Sequence, residues 1–213
     1  AHVDVHRPAW TAAAGNALRR LNGVLASDVR VNAIGEVSAD FDARFSALWR
    51  RYSYRICDKH ECADPLRRHD TLWHRWPVEV ELMNEAAETC LGEHDFAAFC
   101  RSREGASTIR ELMRLEWQRD ETGVITGTVV ADAFCHHMVR ALAGALLAAG
   151  DGRKPIGWVA DVLAARVRDP AVVVAPPHPL CLEQVGYPAE ADLAARTLLT
   201  RRLRTAEPGR SSD

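Results

Sequence analysis

The longest apolar stretch in the chain surrounds a single arginine. Ala133 to Gly150 reads as one helix, and from Met138 to Ala149 its only charge is Arg140. A helix apolar all round is a buried helix, and a buried guanidinium requires an anion beside it. The alternative is that Arg140 sits near the helix start and bends its head to solvent. Gly144, one turn on, keeps that face thin.

Other segments carry the two-residue alternation of strands. Trp49 to Ile56 places Tyr52, Tyr54 and Ile56 on one face and Arg51, Ser53 and Arg55 on the other. Arg110 to Gln118 alternates with Met113, Leu115 and Trp117 inward. The turn Asp120-Glu121-Thr122-Gly123 then leads into Val124 to Ala131, a hairpin signal. Leu180 to Tyr187 is a last strand, and Val29 to Val37 a further candidate. Ala1 to Val5 also alternates, so the chain is expected to open inside a strand, with a segment of the fold missing upstream. Helical periodicity marks Pro8 to Leu21, with Leu18 and Leu21 on an inner face, Val78 to Leu91 with Gly92 as its stop signal, and Ile156 to Val167. Asp58 to Arg75 reads as a polar loop, Asp132 as a cap before Ala133, and residues 207–213 as a disordered tail. Hairpins with helices set beside them predict an α+β fold with a largely antiparallel sheet flanked by helices.

Composition narrows the classes. At 213 residues, 47% hydrophobic and 26% charged, the chain has an ordinary globular balance. No apolar run reaches the roughly 18 residues of a membrane span, and no secretory signal is visible, so neither a membrane nor a secreted setting is expected. The net charge of −2 neither requires nor forbids a polyanionic partner, but Lys59 and Lys154 are the only lysines. Arginine supplies the remaining positive charge, in the planar form suited to phosphate. The six cysteines are scattered rather than framed, and a reducing cytoplasm is the simpler reading. Cys57, His60 and Cys62 imitate half a zinc knuckle without its second half, so no metal is expected.

Three features carry candidate chemistry. Tyr52 and Tyr54 share a strand face among Arg50, Arg51 and Arg55; such tyrosines either fill the core or offer a stacking surface to a base. Residues 101–110 combine Gly105, small hydroxyls and three arginines, as a phosphate-binding loop or as solvated surface. His136 and His137 stand at the mouth of the buried helix, with His136 one turn before Arg140. There is no Walker loop, GxGxxG, HExxH or GxSxG.

Several segments together resemble one family. Phe41-Asp42-Ala43-Arg44-Phe45-Ser46, Arg50-Arg51-Tyr52-Ser53-Tyr54, Leu91-Gly92-Glu93-His94-Asp95-Phe96 and Phe134-Cys135-His136-His137-Met138-Val139-Arg140 occur in the order seen in the tRNA pseudouridine synthase A family. Leu180 to Val185, then Tyr187-Pro188, resembles its C-terminal strand. The resemblance covers roughly residues 1 to 188, which it reads as the catalytic-domain portion of a pseudouridine-synthase-like fold without its N-terminal lobe. Residues 189–213 are then a C-terminal helix and tail.

The resemblance implies an enzyme that detaches a uracil from its ribose, turns it and rejoins it through carbon. It implies a uridine in the anticodon stem-loop of tRNA as substrate, no cofactor, and a cytoplasmic homodimer with a basic RNA cleft. Arg140 matches the arginine that pairs with the family's catalytic aspartate, Tyr52 the substrate-contacting tyrosine, and Leu180 an apolar residue lining the pocket. His136 stands beside them as a substrate-binding candidate. The aspartate belongs to a Gly-Arg-Thr-Asp-Ala-Gly stretch that would precede Ala1, so the 213 residues alone are expected to be inactive. A non-catalytic tRNA-binding protein on the same scaffold is the alternative.

Overall fold

A computed structural model describes residues 1–101 and 107–205, with side chains through residue 200. The described chain divides into two units, Ala1–Ser46 with Pro188–Arg201, and Ala47–Tyr187.

The first unit holds two short helices, α1 (Arg7–Ala13) and α2 (Ala17–Val24). Pro8 stands in the first turn of α1, where its missing N–H is no loss. The single helix expected from Pro8 to Leu21 is broken into two by a 3-10 turn at Ala14–Asn16, and Leu18 and Leu21 are exposed rather than inward. Two expected strands are absent. Ala1 to Val5 and Val29 to Val37 form no strand, and Val3, Val5, Val29 and Val37 are exposed. Alternation yields a strand only where a neighbour pairs the backbone and covers one face. Within this unit the Ser46 and Thr197 hydroxyls share a 2.7 Å hydrogen bond.

The second unit is built on one six-stranded sheet. Its strands are β1 (Trp49–Cys57), β2 (Leu72–Trp73), β3 (Gly92–Asp95), β4 (Ile109–Arg119), β5 (Ile125–Ala131) and β6 (Leu180–Gly186). The order runs β2-β1-β5-β4-β3, and β6 pairs antiparallel with β1 along the same edge that β2 meets further on. Every pairing except β1 with β2 is antiparallel. Three helices cover one face: α3 (Val80–Glu88), α4 (Met138–Gly150) and α5 (Trp158–Ala165), with Tyr54, Ile56, Trp117 and Val129 of the strands packed against them. A last helix, α6 (Leu193–Thr205), follows β6. The expected tail 207–213 lies outside the described residues.

The hairpin β4–β5 forms as its turn chemistry predicts: Asp120 accepts from Thr122 and Val124, and Gly123 takes a positive φ. Its inward set differs, however. The register steps from Leu112 opposite Ala131 to Arg114 opposite Val130, so Met113 is extra. A bulge resets the two-residue period; Leu112, Leu115 and Trp117 are buried and Met113 is exposed.

The cysteines also depart from expectation. Cys57 is bonded to Cys62 and Cys100 to Cys135, leaving Cys90 and Cys181 as thiols. Cys100 and Cys135 lie 35 residues apart and meet only through the fold, which no local spacing announces. Among the described residues no group of three metal-ligating side chains forms, and no helix is long and apolar enough to cross a membrane.

Candidate active site

Helix α4 starts five residues later than its hydropathy suggests. His137 is its N-cap and lies in the left-handed region at φ 73°, a conformation that interrupts a right-handed helix. Ala133 to His137 therefore form a bend leading into the helix. Asp132 is not a cap: its Oδ1 accepts from the Glu111 N–H, and its carbonyl accepts from Arg50 Nη1. It ties β5 to β4 and β1 instead.

Arg140 lies in the first turn of α4, half-buried, while Met138, Val139 and every residue from Ala141 to Gly150 are buried. Its Nε donates to the Ala175 carbonyl at 2.6 Å. The Ala175 N–H in turn donates to the Arg140 carbonyl at 3.0 Å. Among the described residues, no carboxylate forms an ion pair with the guanidinium. A partly desolvated cation in that position favours an anion in its vicinity.

The two tyrosines of β1 differ. Tyr54 is fully buried, its ring edge-on to Trp117 and its hydroxyl donating to the Pro176 carbonyl at 3.0 Å. Burial raises its phenol well above the ordinary value, and the charge of Arg140 partly opposes that. Tyr54 is thus a core residue, and its neighbourhood with Arg140 was not legible from alternation. Tyr52 is half-buried, and its ring meets that of Phe134 nearly at right angles, centroids 5.1 Å apart. Leu180 is half-buried, opposite Tyr54 in the β1–β6 register, and like Tyr52 and Phe134 it packs against the main apolar cluster. Tyr52 and Leu180 thus lie on the margin of the core that contains Tyr54, the tyrosine that feels the charge of Arg140.

His136 does not share a helix face with Arg140, because it precedes the helix. It is exposed, stacks on His137 with ring centroids 4.1 Å apart, and its carbonyl accepts from the Arg101 N–H. The His137 imidazole is pushed below its ordinary value by desolvation, then by His136, Arg140, Arg101 and Arg168. Arg101, Arg140 and Arg168 are thus the cations nearest in effect to the start of α4.

The candidate phosphate loop falls partly outside the described residues, which omit Ser102 to Ala106. Of its flanks, Thr108 donates to Asp95 and Arg110 to the Ser107 carbonyl, so both are engaged in holding the loop base. A concavity of about 530 Å³ lies elsewhere, between Asp58, Val78, Glu79, Asn84 and Arg119. Its central charges are satisfied by each other, since Arg119 clasps both oxygens of Asp58.

The α+β scaffold thus presents a half-buried Arg140, the aromatic pair of Tyr52 with Phe134, and His136 stacked on His137 at the start of α4. Comparison with known proteins gives it a family. The tRNA pseudouridine synthase family model matches residues 86–188. A tRNA pseudouridine synthase A of Streptomyces griseus is 56% identical over 206 residues, covering 96% of this chain and 72% of the relative. The protein of that name from Streptomyces avermitilis is 54% identical over 205 residues, with the same coverage of 96% and 72%. That from Frankia casuarinae is 58% identical over 191 residues, 89% of this chain and 69% of the relative. The chain belongs to the tRNA pseudouridine synthase family.

Proposed function

We propose that this chain carries the pocket in which a uridine of tRNA, in the anticodon stem-loop, is isomerised to pseudouridine. In that reaction the N1–C1′ bond breaks, the uracil turns, and C5 bonds to C1′. The C5 proton is lost and N1 is protonated, so no external oxidant or reductant is needed. Arg140 supplies the charge that keeps a catalytic aspartate ionised; the family's Gly-Arg-Thr-Asp-Ala-Gly stretch that bears it is not among these residues. The target uridine leaves its stack to enter the pocket, where the Tyr52 ring holds the base and Leu180 lines the wall. His136, on the cationic rim with Arg101 and Arg168, meets the phosphate backbone. The enzyme works as a cytoplasmic homodimer without metal or cofactor.

The observation that carries this reading is the guanidinium of Arg140, half-buried, held at Nε and unpaired with any carboxylate of the described residues. The test is tritium release from tRNA labelled at uridine C5. The chain is joined to a segment bearing Gly-Arg-Thr-Asp-Ala-Gly and compared with the same protein carrying Asn for that Asp. Release to solvent that depends on the aspartate supports the assignment. Salt-sensitive tRNA binding with no release by either protein contradicts it and leaves a tRNA-binding scaffold.

A further inference from the structure

We infer that residues 172–176 form a positioning strap for Arg140, and that Gly144 is the residue that lets the strap dock. This inference rests on the proposed role of Arg140, but its geometry stands independently of turnover.

The segment from Val172 to Pro176 belongs to neither helix nor sheet. It lies along the face of α4 that carries Arg140 and Gly144. Ala175 joins Arg140 twice, its N–H to the arginine carbonyl and its C=O to Nε. One turn further along the helix, a Cβ built on Gly144 would lie 1.8 Å from the Val173 carbonyl oxygen. Two residues of extended chain advance about 6.6 Å, and four helical residues about 6 Å. The spacing from Val173 to Ala175 therefore matches that from Gly144 to Arg140, and the strap follows the helix in step. Pro176 is held from the sheet side, where the Tyr54 hydroxyl donates to its carbonyl. A buried phenol needs such a partner, and here the partner is the strap.

The consequence concerns the guanidinium's orientation. An arginine meets a carboxylate in two-point fashion either through Nε and one Nη or through both Nη atoms. Ala175 occupies Nε, which leaves the Nη end for the anion. Arg140 is thereby aimed by backbone carbonyl geometry rather than by a second carboxylate. Any side chain at position 144 must displace either the strap or the helix, because the obstructing atom is backbone and not the end of a flexible side chain. Gly144 and Tyr54 are positioning residues: neither is required to touch substrate.

The experiment is arginine side-chain ¹H–¹⁵N spectroscopy on the chain itself, with the Arg140 Hε resonance identified by its loss in Arg140→Lys. In the unmodified chain, the Arg140 Hε exchanges with solvent about tenfold or more slowly than those of the exposed Arg19 and Arg20. In Gly144→Ala that protection is lost, and so is that of the Ala175 amide, while helix content by circular dichroism is unchanged. Tyr54→Phe, which adds no bulk, reduces both protections without abolishing them. If Gly144→Ala does not fold, the unmodified chain and Tyr54→Phe still decide the matter. An Arg140 Hε that exchanges as fast as Arg19 and Arg20, or one still protected in a folded Gly144→Ala, overturns the inference. Neither result depends on catalysis, so failure of the strap is distinguishable from failure of the pseudouridine reading.

Discussion

The ring of Phe134 stands edge-on to that of Tyr52, at 87° and 5.1 Å between centroids. Phe134 precedes the left-handed bend at His137, so the residue that orients the tyrosine belongs to the segment that also delivers Arg140. Edge-to-face pairs contribute about 0.5–1.5 kcal/mol beyond burial, and misplacement of a substrate-holding group slows chemistry more than it weakens binding. In the chain joined to the aspartate-bearing segment, Phe134→Ala is therefore expected to slow tritium release by roughly tenfold to a hundredfold while tRNA affinity changes little. Equal losses in affinity and rate would show that Phe134 serves the fold and not the placement of Tyr52.

Asp58 and Arg119 make an enclosed ion pair. The Asp58 side chain is fully buried; Arg119 meets its two oxygens at 2.6 and 2.9 Å, and the Val78 N–H donates to it at 2.7 Å. Burial alone would raise the Asp58 carboxyl, but Arg119 and Val78 outweigh it and hold the group below its ordinary range. Removing one partner of such a pair costs about 3 kcal/mol. Asp58→Ala should lower the melting temperature by roughly 6–12 °C in a chain of this size, measured by calorimetry. A shift under a degree would mean that the pair merely offsets its own desolvation.

A pH dependence follows from Asp151. Its buried carboxyl would be raised by burial, but hydrogen bonds from Arg153 and His74 bring it below the ordinary 3.8. The unfolded carboxyl takes up its proton first, so stability from this group is complete above the unfolded value and is lost as pH falls through the folded one. The melting temperature of the unmodified chain should exceed that of Asp151→Asn by a constant margin at neutral pH. That margin should close below about pH 4. A margin that widens on acidification contradicts the assigned direction.

His137 tests whether backbone strain is maintained at the mouth of α4. A side chain at φ 73° costs about 1 kcal/mol relative to glycine, and here it also caps the helix without a side-chain hydrogen bond. His137→Gly is expected to raise the melting temperature by about 2–4 °C. A fall instead would show that stacking on His136 outweighs the strain.

Much of the second unit could be read from the chain because period and turn chemistry agree there. The alternation in β1, the Asp120 turn and the apolar α4 each have one solution. Arg140 stands out in the sequence as one charge in an apolar helix, and the structure leaves it half-buried, between full burial and solvent. Other features depended on contacts that no window of sequence contains. Met113 faces out because a bulge opposite Ala131 and Val130 shifts the phase of β4. The helix at Arg140 begins at Met138 and not Ala133 because His137 turns left-handed. Tyr54 and Arg140 both hydrogen-bond to the strap after Val172, a segment whose sequence shows valines and prolines with no period. The N-terminal alternation misled because strand-like pattern without a neighbouring strand leaves Val3 and Val5 in water.

The most direct test of the account is the rate of pseudouridine formation in tRNA by Arg140→Lys, made in the chain joined to the Gly-Arg-Thr-Asp-Ala-Gly segment. Lysine keeps the charge but not the forked donor that reaches Ala175 and an anion together. The account predicts a rate reduced by about a hundredfold or more, with tRNA affinity essentially retained. A rate within about twofold of the unmodified enzyme, in a folded protein, would contradict it.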